Sequence, residues 1–452
     1  MAGHTAECDV CGHEKWEAHT AQNGVCTVCE LQVTAYNDVY VGGVGLKSGQ
    51  YLDNSGNITT TKPAGGYAYY KNGVLELNDY VYDGPGFLWE EEDDGETDWA
   101  ALYATKDLTL VLKGENSLQI TPSADEERDG IGVGTEKNLT IRGDGSLTIN
   151  ADRKGFYVVG SLTITGGAVD VTAGYSAINA DDDLTISGGT VSVNVEGYGL
   201  DSYGSVIISG GHVDIVTEMW DGIWADENVV ISGGSVDIAA REKGIYANED
   251  VTVSGGIIKV TSENERGIWS EGSVTISGGG ITVDADSDGI CASEDLEVSG
   301  GDLAVTSRSS AALTAEGGRL LLTGGNLELN AETFFAVVLA DEGITVGGQL
   351  PEGVKIEYNE PYYYIGDERA ESSSLTLQTP FSAELKDGSI QLTDAPWGLK
   401  VLFVTYDADG RMADIQVAEV SGDTMAVPDM EGEVTAFFLS IRGLPAHKAL
   451  DV

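Results

Sequence analysis

Four of the five cysteines lie in the first thirty residues, where they form two C-x-x-C pairs. Cys8 pairs with Cys11 and Cys26 with Cys29, and 14 residues separate the pairs. Each pair brings two thiolates to one tight turn, and four thiolates complete the tetrahedron that zinc prefers. The spacing predicts a structural zinc module in residues 1–30, with two disulfides as the alternative. A closed four-sulfur site leaves no open position for catalysis.

Aromatic side chains recur at a fixed interval in the middle of the chain. Trp224, Tyr246 and Trp269 are 22 and 23 residues apart, and Trp220 precedes them. Sugar rings have apolar faces that stack on aromatic rings, and an exposed aromatic strip is costly unless a ligand covers it. The interval therefore predicts a glycan-binding strip. Packing under a flanking loop or against a second copy is the alternative.

Basic residues lie immediately before this strip, at Arg241, Lys243 and Arg266. As a polar rim they would bind sugar hydroxyls or uronate carboxylates. The alternative is that they form ion-pair ladders with the surrounding acidic residues.

Acidic residues in one predicted turn, Asp181, Asp182 and Asp183, are followed one repeat later by Asp201. Calcium takes about six to eight oxygen ligands, and stacked turns can supply carboxylates from two repeats. These residues therefore form a candidate calcium site, with a solvated acidic turn as the alternative.

A repeat must position all of these side chains. Gly-Gly pairs begin at intervals of 22 to 24 residues, at Gly166, Gly188, Gly210, Gly233, Gly255, Gly278, Gly300, Gly324 and Gly347. Each unit holds three short alternating segments, as in Val229–Ile231, Val236–Ile238 and Ile245–Ala247. Alternation indicates strands with one face inward, and glycine supplies the sharp corners. The pattern predicts an all-β fold, a right-handed parallel β-helix of about ten rungs over residues 105–350.

In such a β-helix, residues 22 or 23 apart are neighbours in space. The outward column of the third strand is predicted to contain Asn179, Asp201, Trp224, Tyr246, Trp269, Cys291 and Leu313. Open ends of a strand stack recruit other strands, so caps are required. Residues 31–104 are predicted to form an N-terminal β cap, and residues 355–452 a C-terminal antiparallel β-sandwich.

The formal net charge of −50 argues against nucleic acid and anionic membrane surfaces as partners. Cations and neutral polymers are the expected partners, and the alternative is that the acidity only keeps a repetitive β-protein soluble. No apolar run is long enough to span a bilayer, and no signal peptide is evident at Met1. A cytoplasmic protein and a chain that starts after a removed leader both fit these observations.

The repeated L-T-I-S-G-G and G-I-x-A segments resemble a clostridial family of surface β-helix proteins with a carbohydrate-binding domain. The Cys8–Cys29 opening is similar to modules of secreted gut bacterial proteins. The resemblance implies a pectate-lyase-like superhelix, binding of plant polysaccharide such as pectin or cellulose, bound calcium, and an extracellular or cell-surface location.

The favoured function is a non-catalytic polysaccharide-binding protein that is secreted or attached to the cell surface. One alternative is a calcium-dependent lyase of the pectate type, but no distinctive catalytic set is present, so no catalytic residue is predicted. Another is a structural or adhesive rod that binds protein partners. Enzymatic activity is left open.

Overall fold

The computed structural model describes residues 37–91, 97–120, 128–334 and 336–347 without interruption, together with shorter segments before residue 37 and after residue 349. The regular elements of these residues are all β-strands, which confirms the predicted all-β class. Within the described part of the chain, no helix is long and apolar enough to cross a membrane.

Three sheets form the faces of a parallel β-solenoid, which confirms the predicted parallel fold. The parallel strands of sheet 1 are Val74–Asn78, Leu108–Lys113, Leu139–Gly143, Leu162–Ile164, Leu184–Ile186, Val206–Ile208, Val229–Ile231, Val251–Val253, Val274–Ile276, Leu296–Val298, Arg319–Leu322 and Gly343–Val346. Those of sheet 2 are Val81–Gly84, Glu115–Ile120, Ser146–Asn150, Ala168–Ala173, Thr190–Val195, His212–Thr217, Ser235–Ala240, Ile257–Ser262, Gly280–Ala285, Asp302–Ser307 and Asn326–Ala331. Those of sheet 3 are Thr97–Ala104, Arg128–Thr135, Lys154–Val158, Ser176–Ala180, Tyr198–Ser202, Ile223–Ala225, Ile245–Ala247, Ile268–Ser270, Ile290–Ala292, Leu313–Ala315 and Ala336–Ala340.

The core consists of apolar columns that run through successive turns. One column of sheet 1 is fully buried and consists of Leu162, Leu184, Val206, Val229, Val251, Val274 and Leu296. Burial of each such side chain contributes about 1.5–3 kcal/mol before the entropic cost of folding is counted. Because each member packs on those above and below it, the columns hold successive turns in register.

Glycine makes the corner between sheets 1 and 2. The second glycine of eight successive Gly-Gly pairs, from Gly167 to Gly325, has φ between 82° and 99°. Only glycine adopts this region without a steric penalty, so the pairs mark the corners as predicted.

Antiparallel strands cap the parallel stack. At the N-terminal end they are Val39–Val41, Val44–Leu46, Gln50–Asp53, Ile58–Thr59, Tyr67–Lys71 and Phe87–Glu91. At the C-terminal end, Ile356–Asn359 and Tyr362–Gly366 extend sheet 3, and Ser373–Leu377 pairs with sheet 2. Parallel pairing begins at Val74, inside the segment 31–104 that was predicted as a cap.

Beyond the solenoid, the C-terminal residues form two antiparallel sheets. One contains Ser382–Lys386, Ser389–Thr393 and Thr424–Ala426, and the other contains Lys400–Tyr406, Met412–Glu419, Val434–Leu439 and Pro445–Asp451. Ile390 of the first sheet and Phe403 of the second are buried in one apolar cluster. Two sheets that share one core have the arrangement of the predicted sandwich.

The N-terminal segment contains short antiparallel strand pairs, Gly3–Glu7 with Glu14–Ala18 and Ala21–Gln22 with Val25–Cys26. Cys8, Cys11 and Cys29 lie outside the described residues, and only the backbone of Cys26 is described. The zinc module therefore stays a prediction.

A glycine at the start of a sheet 3 strand should be intolerant of any side chain. A Cβ at Gly244 would lie 2.0 Å from Val260 Cγ1 and 2.6 Å from the Gly267 carbonyl oxygen. We expect Gly244→Ala to lower the free energy of unfolding by about 1–3 kcal/mol, measured by urea denaturation. Gly65→Ala is the control, because a Cβ there meets no atom within 4 Å. Equal stability of the two variants would contradict this packing.

Candidate functional site

Trp224, Tyr246 and Trp269 lie side by side on successive strands of sheet 3. Register pairs Trp224 with Tyr246 and Tyr246 with Trp269. The ring centroids are 6.2 Å and 5.1 Å apart. In each strand the two flanking residues are buried and the ring is partly exposed, because alternation points the ring outward. The structure thus contains the predicted line of outward aromatic side chains.

Trp220 extends this line through tyrosines that the sequence analysis did not select. Its ring lies 5.1 Å from that of Tyr175 and 4.7 Å from that of Tyr198. Tyr198 and Tyr203 in turn contact Trp224, at 6.3 Å and 5.8 Å. We call the connected rings the aromatic platform, which consists of Tyr175, Tyr198, Tyr203, Trp220, Trp224, Tyr246 and Trp269.

Gly197 allows the platform to reach Tyr175. A Cβ at Gly197 would lie 2.9 Å from Cε3 of Trp220 and 1.8 Å from the Tyr175 carbonyl oxygen. Because no side chain is present there, the rings of Tyr175 and Trp220 meet edge to face across the glycine. Corner residues such as these would have been found by applying the 22–23 residue step to the turns as well as to the strands.

The outward column differs from the predicted one at its C-terminal end. Cys291 pairs with Thr314, whereas Leu313 pairs with Ile290 and is fully buried. The prediction of Leu313 as an outward residue is therefore wrong. The corner before this strand is one residue longer than the preceding one, so the predicted step of 22 residues from Cys291 to Leu313 falls on the wrong face.

Two of the three predicted basic residues lie against the platform. The Nζ of Lys243 is 5.6 Å from the ring centroid of Tyr246 and 5.5 Å from that of Trp269. The guanidinium of Arg266 lies 4.4 Å from the Trp269 centroid. These distances are typical of cation–π contacts. Arg241 instead pairs with Glu263 at 3.1 Å in the exposed corner.

A buried polar pair continues the column on the N-terminal side of Trp224. Asn179 and Asp201 are 1% and 6% exposed, and Asn179 Nδ2 donates to Asp201 Oδ2 at 2.9 Å. Lys154 Nζ donates to Asn179 Oδ1 at 3.0 Å and lies 3.8 Å from the Tyr157 ring centroid. Burial raises the pKa of Asp201 to about 6, although Lys154 and Asn179 act to lower it. A carboxylate acceptor thus lies beside the platform.

A second polar cluster adjoins Trp269 at the other end. Cys291 is fully buried, and burial raises the pKa of its thiol. Its sulfur and one oxygen each of Asp288 and Glu316 lie within 4.8 Å of one another. Arg266 reaches both acids, with Nε 3.4 Å from Asp288 and Nη2 2.5 Å from Glu316. The Arg266 guanidinium therefore balances the negative charges of Asp288 and Glu316.

The predicted calcium ligands do not converge in the same way. Asp182 and Asp183 are exposed, and Asp183 accepts a hydrogen bond from the Ser205 amide at 3.0 Å. Asp181 is partly buried, and burial raises its pKa. Asp201 is bound to Asn179. Calcium at these residues stays a prediction.

Removal of the buried charge at Asp201 should stabilise the protein in a pH-dependent way. Because the folded-state pKa lies above that of an unfolded aspartate, the stability that Asp201 contributes is lost as the pH rises through about 6. We expect Asp201→Asn to raise the melting temperature by about 1–3 °C at pH 8 and by less at pH 5. Thermal denaturation measures this, with exposed Asp182→Asn as control. A larger gain at pH 5 would contradict it.

Comparison with known proteins gives one family. The family model of carbohydrate-binding domain-containing proteins matches residues 115–244 and 206–395, which together cover more than half of the chain. Both matches overlap the aromatic platform. The searches of curated proteins and of solved structures found no match. On the extent of the family match, the chain belongs to the carbohydrate-binding domain-containing protein family.

Proposed function

We propose that this chain is a non-catalytic polysaccharide-binding protein whose aromatic platform stacks against an extended glycan. The observation that carries the proposal is the unbroken series of partly exposed rings from Tyr175 to Trp269. A contiguous exposed apolar patch on a soluble protein marks an interaction or ligand-binding site. The family match supports carbohydrate as the ligand class.

The spacing of the platform suits a polymer better than a single sugar. Neighbouring strands lie about 4.8 Å apart, so Trp224 and Trp269, two strands apart, are separated by about 10 Å along the solenoid axis. From the strand of Tyr175 to that of Trp269 the separation is about 19 Å. When one glycan chain makes several weak stacking contacts, the first contact raises the effective concentration for the others, and the overall affinity increases.

The charges beside the platform support binding without catalysis. A lyase needs a base beside the substrate, and an arginine cannot readily lose its proton. Lys243 is paired with Asp221, and Arg266 with Asp288 and Glu316. These side chains are held in ion pairs and are therefore poor candidates for proton abstraction.

The proposal includes an extracellular or cell-surface location, where polysaccharide is accessible. It rests on the resemblance of the repeat to surface proteins. A structural rod that uses the platform for protein contacts is the competing function, and the binding experiment below separates the two.

Truncation of a central ring should weaken glycan binding without unfolding the protein. We expect Trp224→Ala to lower the affinity for a bound polysaccharide by about tenfold, which corresponds to about 1.4 kcal/mol. Gel-shift electrophoresis in soluble polysaccharides, followed by calorimetry on those that retard the protein, measures the effect.

Tyr406→Ala is the matched control, because Tyr406 is an exposed aromatic residue of the C-terminal sheets. It should bind like the wild type. If no polysaccharide retards the wild type, and Trp224→Ala instead changes the elution volume in size-exclusion chromatography, the platform is a protein interface and the proposal fails.

We also propose that Cys8, Cys11, Cys26 and Cys29 hold a structural zinc ion. Because each pair contributes two of four thiolates, Cys8→Ser should reduce zinc content strongly, whereas Cys291→Ser should leave it unchanged. Elemental analysis of protein purified without chelators measures this. Equal zinc in the two variants would contradict the assignment.

A further inference from the structure

The basic side chains at the platform are already neutralised by carboxylates of the protein. Lys243 Nζ lies 3.6 Å from Asp221 Oδ1, and the same oxygen accepts the Lys243 backbone N–H at 2.8 Å. The side chains of Lys243 and Asp221 are 17% and 6% exposed. A pair so far out of water is costly to break, because the partner would be left as a buried charge.

Arg266 is neutralised more completely. Its guanidinium contacts Asp288 at 3.4 Å and Glu316 at 2.5 Å. Asp288 is held in place by hydroxyl donors, Ser310 at 2.6 Å and Thr314 at 2.7 Å. The guanidinium carbon of Arg266 lies 4.4 Å from the centroid of the Trp269 ring, and two of its nitrogens are already engaged by the acids.

Further acidic groups border the rings. The Tyr246 hydroxyl donates to Glu271 Oε1 at 2.8 Å, so a carboxylate lies at the outer edge of the central ring. Asp201 lies buried beside Trp224 in the same column. The chain as a whole carries a formal net charge of −50, and a net charge of this sign disfavours a polyanionic partner.

We propose that the platform accepts polysaccharides without acidic groups and rejects polyuronates. The proposal rests on the proposed function. It excludes the uronate ligand that the basic residues alone would suggest. A polyuronate carries one carboxylate per sugar, and each would meet a neutralised cation or a carboxylate of the protein. Like-charge contacts of this kind reject a wrong partner while leaving the stacking surface unchanged.

Polymers with the same backbone that differ chiefly in charge provide the test. Polygalacturonate is compared with its methyl-esterified form, and carboxymethyl cellulose with hydroxyethyl cellulose, at about 20 mM and about 500 mM NaCl. We expect at least one neutral polymer to bind, with its acidic counterpart about tenfold weaker at low salt. The difference should narrow at high salt, because screening weakens the repulsion.

Variants of the exposed acids identify the source of the selectivity. Glu271→Gln and Glu316→Gln should each raise the affinity for the acidic polymer by about two- to fivefold and leave that for its neutral counterpart unchanged. Arg266 keeps its contact with Asp288 in the second variant, so the fold should persist. Glu328→Gln, an exposed acid on sheet 2, is the control and should change neither affinity.

The outcomes separate this inference from the proposed function. Equal or tighter binding of the acidic polymer at low salt overturns the inference and leaves polysaccharide binding intact. An unchanged preference in Glu271→Gln and Glu316→Gln also overturns it. Failure of every polymer to bind overturns the proposed function itself.

Discussion

The rest of the structure depends on the packing of each turn of the solenoid directly on the next. Apolar columns fix the interior, and the Gly-Gly corners give successive turns the same sharp bend between sheets 1 and 2. The side chains of paired strands then stand opposite one another. A residue type that recurs at the repeat interval therefore forms a column of neighbouring side chains along the solenoid. The aromatic platform is the outward result of this inward constraint.

The charged side chains of the solenoid act mainly on their immediate neighbours. An acidic chain of this length would repel itself if its carboxylates were concentrated, and the turns spread them along the solenoid. Where acids are buried beside the platform, each is held by a neighbour, Asp221 by Lys243 and Asp201 by Asn179. The ion pairs therefore act on the platform by setting its charge, and the rings supply the contact surface.

The repeat predicted most of the fold but only part of the site. Trp224, Tyr246 and Trp269 were found because strand positions obey strict alternation. Tyr175 and Tyr203 lie in corners, where alternation does not apply.

Leu313 was predicted on the wrong face of its strand because the corner before it is one residue longer than the preceding corner. The first parallel turn, which begins at Val74, was not predicted because its corner between sheets 1 and 2 has no Gly-Gly pair and its connection to sheet 3 contains the extra strand Phe87–Glu91. Burial of Asp201 depends on neighbouring turns and has no local signal.

Each of the three turns that carry Trp224, Tyr246 and Trp269 contributes one strand ring to the platform, and this has an evolutionary consequence. Duplication of a single 22-residue unit would lengthen the platform by one ring while leaving the lateral alignment of every other turn intact. Insertion or deletion of one residue within a strand would instead turn the ring toward the core. Valency in this architecture is therefore adjustable in whole units by unequal recombination, with no redesign of the core.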